Sequence, residues 1–224
     1  MLKTVSIPIE AARAAGVKGG SRVLTDRGAT IKASLAEYLD GTLRPWRVEA
    51  VTDLEYQICG YCDGPLSTNE AGRLAGVTVS DFEIFEFKPG EIILDIDVAG
   101  LKGGRGKDYR KREHGYSRVS VDQDVGRETT NPRAAYSNFV FDLLSRQENP
   151  GFRLAGKFRS FEVKHETALR KGFNGTRRGH TVPRIQGQIP VEITDVDAFR
   201  RWLRRGVGKH KAFGFGCAFA MRAS

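Results

Sequence analysis

The close of the chain restricts its fold more than any other stretch. Four glycines, Gly206, Gly208, Gly214 and Gly216, separate an amphipathic segment at 195–205 from a short apolar run at 217–221. A helix that feeds a strand through such a turn needs backbone conformations a side chain would strain. The same freedom lets main-chain N–H groups approach a ligand closely. Between the glycines stand Lys209, His210 and Lys211. The pattern describes an anion site, with Gly206, Gly208, Gly214 and Gly216 as backbone cradle and Lys209 and Lys211 as charge.

Composition narrows the anion. The chain has 36 Lys and Arg against 27 Asp and Glu, a net charge of +9. That excess favours a polyanionic partner: nucleic acid, an anionic membrane or an acidic protein. No apolar run approaches the ~20 residues of a membrane span. The first residues, Met1 to Ile9, are too poor in apolar residues for a secretion signal. Nucleic acid therefore leads, and no membrane partner is expected. Three cysteines, an odd number without a secretion signal, point to a reducing cytoplasm. Cys59-Gly-Tyr-Cys62 has CxxC spacing, but residues 54–61 read as a strand, which sets the two thiols on opposite faces. No second ligand pair accompanies them, so no zinc site, and no other cofactor, is expected.

Along the chain, residues 4–9 are β-branched and read as a first strand. A short alanine-rich helical patch and a basic, glycine-rich loop follow. Ile31, Leu35 and Leu39 at four-residue spacing predict a helix over 30–39. Residues 46–51 and 54–61 read as strands, as do 82–87 and 92–98, joined by the turn Lys88-Pro-Gly-Glu91. Asp95 and Asp97 alternate with Ile96 and Val98, which predicts a solvated face. A second helix over 132–146 starts at proline. Residues 152–165 and 182–193 read as strands flanking a polar tip, and 195–205 as a last helix capped by Thr194. The economical reading is α+β: two halves of similar strand–helix make-up, 1–128 and 129–224, divided near 126–131.

Two stretches concentrate positive charge. Residues 102–118 contain Lys107, Arg110, Lys111 and Arg112 among glycines, with Tyr109 and Tyr116 able to stack on bases. Residues 164–180 contain Lys164, Arg170, Lys171, Arg177, Arg178 and His180 between two strands. A thin basic hairpin of this kind tracks phosphates along an A-form stem rather than reading its bases. His114 and His165 lie in these basic segments and read as nucleic-acid contacts, RNA contacts where the resemblance below holds.

The segment Phe199-Arg-Arg-Trp-Leu-Arg-Arg-Gly-Val-Gly-Lys-His-Lys-Ala-Phe-Gly-Phe-Gly216 resembles the closing signature of CRISPR repeat-processing endoribonucleases, the CasE-type subunit of Cascade in the RAMP superfamily. Tyr136 to Arg146, Gly151 to Leu154 and the Lys88-Pro-Gly-Glu turn are similar to further parts of that family. The resemblance covers residues 80–220 well and 1–79 weakly. It implies tandem ferredoxin-like (RRM-like) domains with a C-terminal glycine-rich loop. It also implies cutting of CRISPR repeat RNA at the base of a stem-loop, without metal or other cofactor. The ribose 2′-OH would attack its own phosphate and leave a 2′,3′-cyclic phosphate. Such chemistry wants a base at the 2′-OH, an acid at the leaving 5′-oxygen and cations on the phosphorane.

The family's site uses a Tyr and a His three apart on the first helix; the matching positions here are Ala29 and Lys32. Two outcomes fit. Lys32, crowded by Arg22, Arg27 or Lys211, serves as acid or base, or as a charged stabiliser, with His210 as a second candidate from the loop. Alternatively the site is silent and the protein grips the RNA as a subunit of a CRISPR ribonucleoprotein complex. A third reading is a backbone subunit held to RNA through protein contacts.

Overall fold

The computed structural model describes residues 1–18, 27–82, 86–103, 118–120, 131–171, 177–208, 211 and 214–222. The first part of the chain folds as β1 (Leu2–Pro8), α1 (Ile9–Lys18), α2 (Arg27–Tyr38), β2 (Leu39–Asp40), β3 (Trp46–Val51), β4 (Glu55–Tyr61), β5 (Ser67–Thr68), α3 (Glu70–Leu74) and β6 (Thr78–Asp81). Then come β7 (Gly90–Ala99), β8 (Leu101–Gly103), β9 (Arg118–Ser120), α4 (Pro132–Ser145), β10 (Phe152–Leu154), β11 (Ser160–Lys171), β12 (Arg177–Ile193), α5 (Val196–Arg205) and β13 (Cys217–Arg222).

The strands build two main sheets. The first has the order β6-β1-β4-β3 and the second β13-β7-β12-β10, with β11 also paired to β12. Counted in chain order, the first and third strands of each four-strand path are central, β1 and β4 in the first sheet and β7 and β12 in the second, and β11 adds a fifth strand to the second sheet alone. Division at residue 128 would leave β7 with the first half. Instead β7 pairs antiparallel with both β12 and β13 inside the second sheet, and the change of sheet falls between Asp81 and Gly90. The expected strand over 82–87 is not formed at its described residues; the strand preceding β7 is β6, on β1. Lys88-Pro-Gly-Glu91 therefore links two sheets instead of closing a hairpin.

Side-chain periodicity explains how each sheet is covered. In the first, Val5 and Ile7 of β1 and Ile58 of β4 pack against Ala12 and Ala15 of α1 and Ile31, Leu35 and Tyr38 of α2. In the second, Leu94, Ile96 and Val98 of β7 face Val140 and Leu144 of α4 and Phe199, Trp202 and Leu203 of α5. Helix α5 begins one residue later than Thr194 predicts: Asp195 is the cap, its carboxylate accepting from the N–H groups of Asp197 and Ala198.

The other face of β7 is where the sequence expectation fails. Asp97 is 0% exposed and Asp95 is only partly exposed. Period-2 alternation set both on one face of β7, and that face is the one turned away from α4 and α5. That face is not wet, because Ala99, Val182 and Phe215 form a small apolar cluster there and β3 brings up Arg47. Arg47 Nη2 lies 2.8 Å from Asp95, and its guanidinium sits 4.1 Å above the Phe219 ring. Tyr61 Oη donates to the Ala218 carbonyl at 2.9 Å, a second tie between the sheets. Cys59 and Cys62 are buried free thiols in different cores, on opposite faces of the first sheet as their spacing requires. Among the described residues no helix is long and apolar enough to cross a membrane.

Candidate nucleic-acid interface

Helix α2 and the β11–β12 hairpin meet through a chain of charges. Arg27, on the first turn of α2, donates Nη2–H to Glu166 Oε1 of β11 at 2.9 Å. The same oxygen accepts from Arg184 Nη1 of β12 at 2.8 Å. Arg184 Nε lies 3.0 and 2.9 Å from the two Asp97 oxygens, and Gln186 Nε2 adds a 3.0 Å bond to the same carboxylate. Gln186 is the register partner of Asp97, and Arg184 stands two residues away on the same face of β12.

The network ends at the glycine-rich connection. Arg184 Nη2 donates to the Gly214 carbonyl at 3.2 Å, and its guanidinium faces the Phe215 ring at 5.3 Å. Burial pushes Arg184 down, but the charge and hydrogen bonds of Asp97, then of Glu166, outweigh it and hold the guanidinium charged. Burial pushes the Asp97 carboxyl up, against the pull of Arg184. The carboxylate form is nevertheless the one the geometry serves: the donors that converge on Asp97 need acceptor oxygens, and a protonated carboxyl would bring a donor among them.

Lys32 lies on the exposed face of α2, one turn and a half beyond Arg27 and three residues from Ala29. The protein alone does not bury it, so any desolvation at this position must come from what covers it. Lys164 is exposed on β11 and its Nζ lies 3.0 Å from Glu162. Farther along the hairpin the register sets Arg170 opposite Arg178 and Lys171 opposite Arg177. Like charges directly across an antiparallel pair repel unless a counter-ion joins them. Arg22, Lys107, Arg110, Lys111, Arg112, Lys209 and His210, and with them the basic loop at 104–117, lie outside the described residues.

The four glycines divide by role. All have positive φ: 66° at Gly206, 73° at Gly208, 84° at Gly214 and 76° at Gly216. Gly206 N–H closes α5 onto the Trp202 and Leu203 carbonyls, and Gly216 N–H donates to the Asp97 carbonyl at 2.6 Å. These two N–H groups are occupied inside the protein, so Gly206 and Gly216 shape the turn instead of cradling an anion. Gly214 admits Trp46: a Cβ there would lie 2.5 Å from Cζ3 of that ring. Lys211 Nζ donates to the Arg205 carbonyl at 2.7 Å. Sequence reasoning missed Glu166, Arg184 and Asp97. Alternation put Asp97 on a defined strand face and Arg184 lay within an expected strand, but Glu166 fell beyond the end of the strand expected at 152–165; only the pairing of β7, β11 and β12 brings the three together.

The whole chain aligns with solved structures of one kind. It matches a CRISPR endoribonuclease, Cse3, bound to a 19-nucleotide RNA, with a TM-score of 0.62 and 18% identity over 98% of this chain and 99% of that one. Against the CRISPR-associated protein Cas6e from Escherichia coli str. K-12 the TM-score is 0.53 at 13% identity over 100% of both chains. Against a chain of a CRISPR RNA-guided surveillance complex in a pre-nicking state it is 0.55 at 15% identity, again over 100% of both. A family model described as CRISPR associated protein matches residues 121–217. No curated protein matches the chain by sequence. The protein is an α+β chain with two β-sheet bodies in the fold of the CRISPR-associated Cse3 and Cas6e endoribonucleases.

Proposed function

We propose that this protein is a metal-independent endoribonuclease of CRISPR RNA maturation that keeps the product hairpin bound, within a CRISPR surveillance complex of the cytoplasm. The observation that carries this reading is the full-length likeness to an endoribonuclease with RNA bound. The repeated strand order, with first and third strands central, supports two ferredoxin-like units. The RNA stem lies along the β11–β12 hairpin, where the register sets Arg170 opposite Arg178 and Lys171 opposite Arg177 and an RNA phosphate would offset their like charge. Arg27, tied by Glu166 to the hairpin base, fixes the start of α2 against the stem.

The reaction uses the RNA's own nucleophile. The 2′-OH loses its proton and attacks the adjacent phosphorus; the P–O5′ bond breaks, the 5′-oxygen takes up a proton, and a 2′,3′-cyclic phosphate remains. Lys32 is the acid–base residue or the charged stabiliser of the phosphorane, with His210 as the alternative donor. The rival reading is a subunit that binds the hairpin and does not cut. It is favoured by one observation: a methyl group at Ala29 offers no proton, and Lys32 stands where the related family carries a histidine.

The experiment is incubation of the full chain with repeat RNA in EDTA, beside the same RNA carrying a single 2′-deoxy residue at the cut. Cutting of the first, binding without cutting of the second and a cyclic phosphate end support the enzyme. Tight hairpin binding without cutting of either establishes the silent subunit, and absence of hairpin binding removes both readings.

A further inference from the structure

Beyond the C-terminal end of α2 lies a cavity of about 560 Å³ that has no lining residue from α2 or the β11–β12 hairpin. Its sides come from the segment after α2, from residues 63–65, and from the last turn of α5 with Lys211. Arg27 opens the 12-residue α2, about 16 Å of axial rise long, whereas the lining of the cavity begins at Gly41, past the end of that helix. Four cationic side chains, Arg44, Arg204, Arg205 and Lys211, line it against one carboxylate, Asp63. Among the described residues none of the four cations has an ion-pair partner.

Lys211 is built into place. Its Nζ is held by the carbonyls of Arg205 and Gly206 at the negative end of α5. Its stem is boxed by two glycines: a Cβ on Gly206 would reach Lys211 Cδ at 3.0 Å, and one on Gly216 would reach Cγ at 2.8 Å. With two acceptors engaged, the ammonium keeps a third hydrogen for a ligand. Burial, then the charges of Arg44 and Arg205, push Lys211 down. The negative charge of an anion in the cavity would offset both effects.

We propose that this cavity is a phosphate-binding site separate from the α2–hairpin region, taking a phosphate group carried by an RNA strand or free in solution. Arginines from two chain segments present planar forks that grip several phosphate oxygens at once, and the excess of positive charge exceeds what a single carboxylate neutralises. The cavity also has room for more than a bare ion. The strand-borne form rests on the RNA reading above; the free-phosphate form does not.

The test is calorimetric titration of the full chain with inorganic phosphate and, separately, with a six-nucleotide single-stranded RNA, each against sodium chloride of equal ionic strength. The repeat hairpin is titrated in parallel, and all are repeated on Arg44→Gln/Arg204→Gln, which changes exposed side chains. Saturable phosphate binding weakened tenfold or more in the variant, at unchanged melting temperature, is the expected result. An equal loss for the short RNA assigns the strand as source; loss for phosphate alone assigns the free anion. Arg44→Lys, which keeps the charge, retains most of the binding; this distinguishes lost charge from a disturbed fold. No saturable binding of either probe, or equal binding by both proteins, overturns the site. Hairpin binding with no phosphate binding removes this proposal alone, and the reverse removes the RNA-processing reading alone.

Discussion

Arg184 and Asp97 stand 87 residues apart in the chain and meet side-on, Arg184 Nε lying 3.0 and 2.9 Å from the two carboxylate oxygens. The pair is buried on the face of β7 and β12 turned away from α4 and α5. It holds the Gly214 carbonyl on one side and, through Glu166, the first turn of α2 on the other. One guanidinium thus ties the glycine-rich connection to the helix that carries Lys32.

Removing one partner of this pair is expected to be costly. Arg184→Met leaves Asp97 buried without its counter-charge, and the loss of unfolding free energy should be about 3–5 kcal/mol. Arg184→Met with Asp97→Leu should recover a large part of it, because neither charge remains to be solvated. Urea unfolding of both variants measures this. A single variant within ~1 kcal/mol of the parent would mean the pair is not the anchor described.

Glu166 is 29% exposed, so its ion pairs matter more for position than for stability. Glu166→Gln should cost no more than about 1 kcal/mol in unfolding. If α2 is held for RNA cutting, the cleavage rate on repeat RNA should fall several-fold with hairpin affinity nearly unchanged. Parallel single-turnover and binding assays separate the two; equal losses in both would make Glu166 a binding residue.

The glycines should differ in sensitivity. Gly208→Ala imposes positive φ on a residue with a Cβ, but the nearest neighbour, Leu143 Cδ2, is at ordinary contact distance, 3.4 Å. A cost of about 1–2 kcal/mol is expected. Gly216→Ala has the same strain and also drives Cβ into the Val207 carbonyl and the Lys211 stem, so it should cost clearly more. Thermal melts rank them. Equal losses would show that backbone strain alone governs the turn.

Lys211 titrates below the ordinary lysine value of 10.5 through burial and the charges of Arg44 and Arg205. In the pH window between its folded value and 10.5 the unfolded chain binds more protons, so its contribution makes stability rise with pH there. The penalty of the charged ammonium is present below that window and gone above it. Arg44→Gln should move Lys211 up, and phosphate in the cavity should do the same. Nitrogen chemical shifts of the labelled lysine side chain report both; a Lys211 indifferent to Arg44→Gln would contradict the cavity's electrostatics.

Much of the architecture was legible before any coordinates. Four-residue spacing marked α2, proline at 132 marked the start of α4, and the CxxC spacing set Cys59 and Cys62 on opposite faces, which the structure buries in different cores. Local order failed where a second sheet or a loop covers a face. Asp97 reads as a wet strand residue because alternation reports which face a side chain takes, not what packs on it. The glycines of the closing turn were visible as positions of positive φ, but whether their N–H groups face a ligand or another strand depends on the pairing of β7 with β13. By itself the sequence determined periodicity, turn chemistry, charge and the closing signature, because these depend on neighbours in the chain. Only the tertiary structure decided that β7 joins the second sheet, that Arg184 is buried on Asp97, and that Arg44 meets Lys211 across one cavity. Those contacts arise from strand register and sheet packing between segments far apart in sequence, which no local pattern encodes.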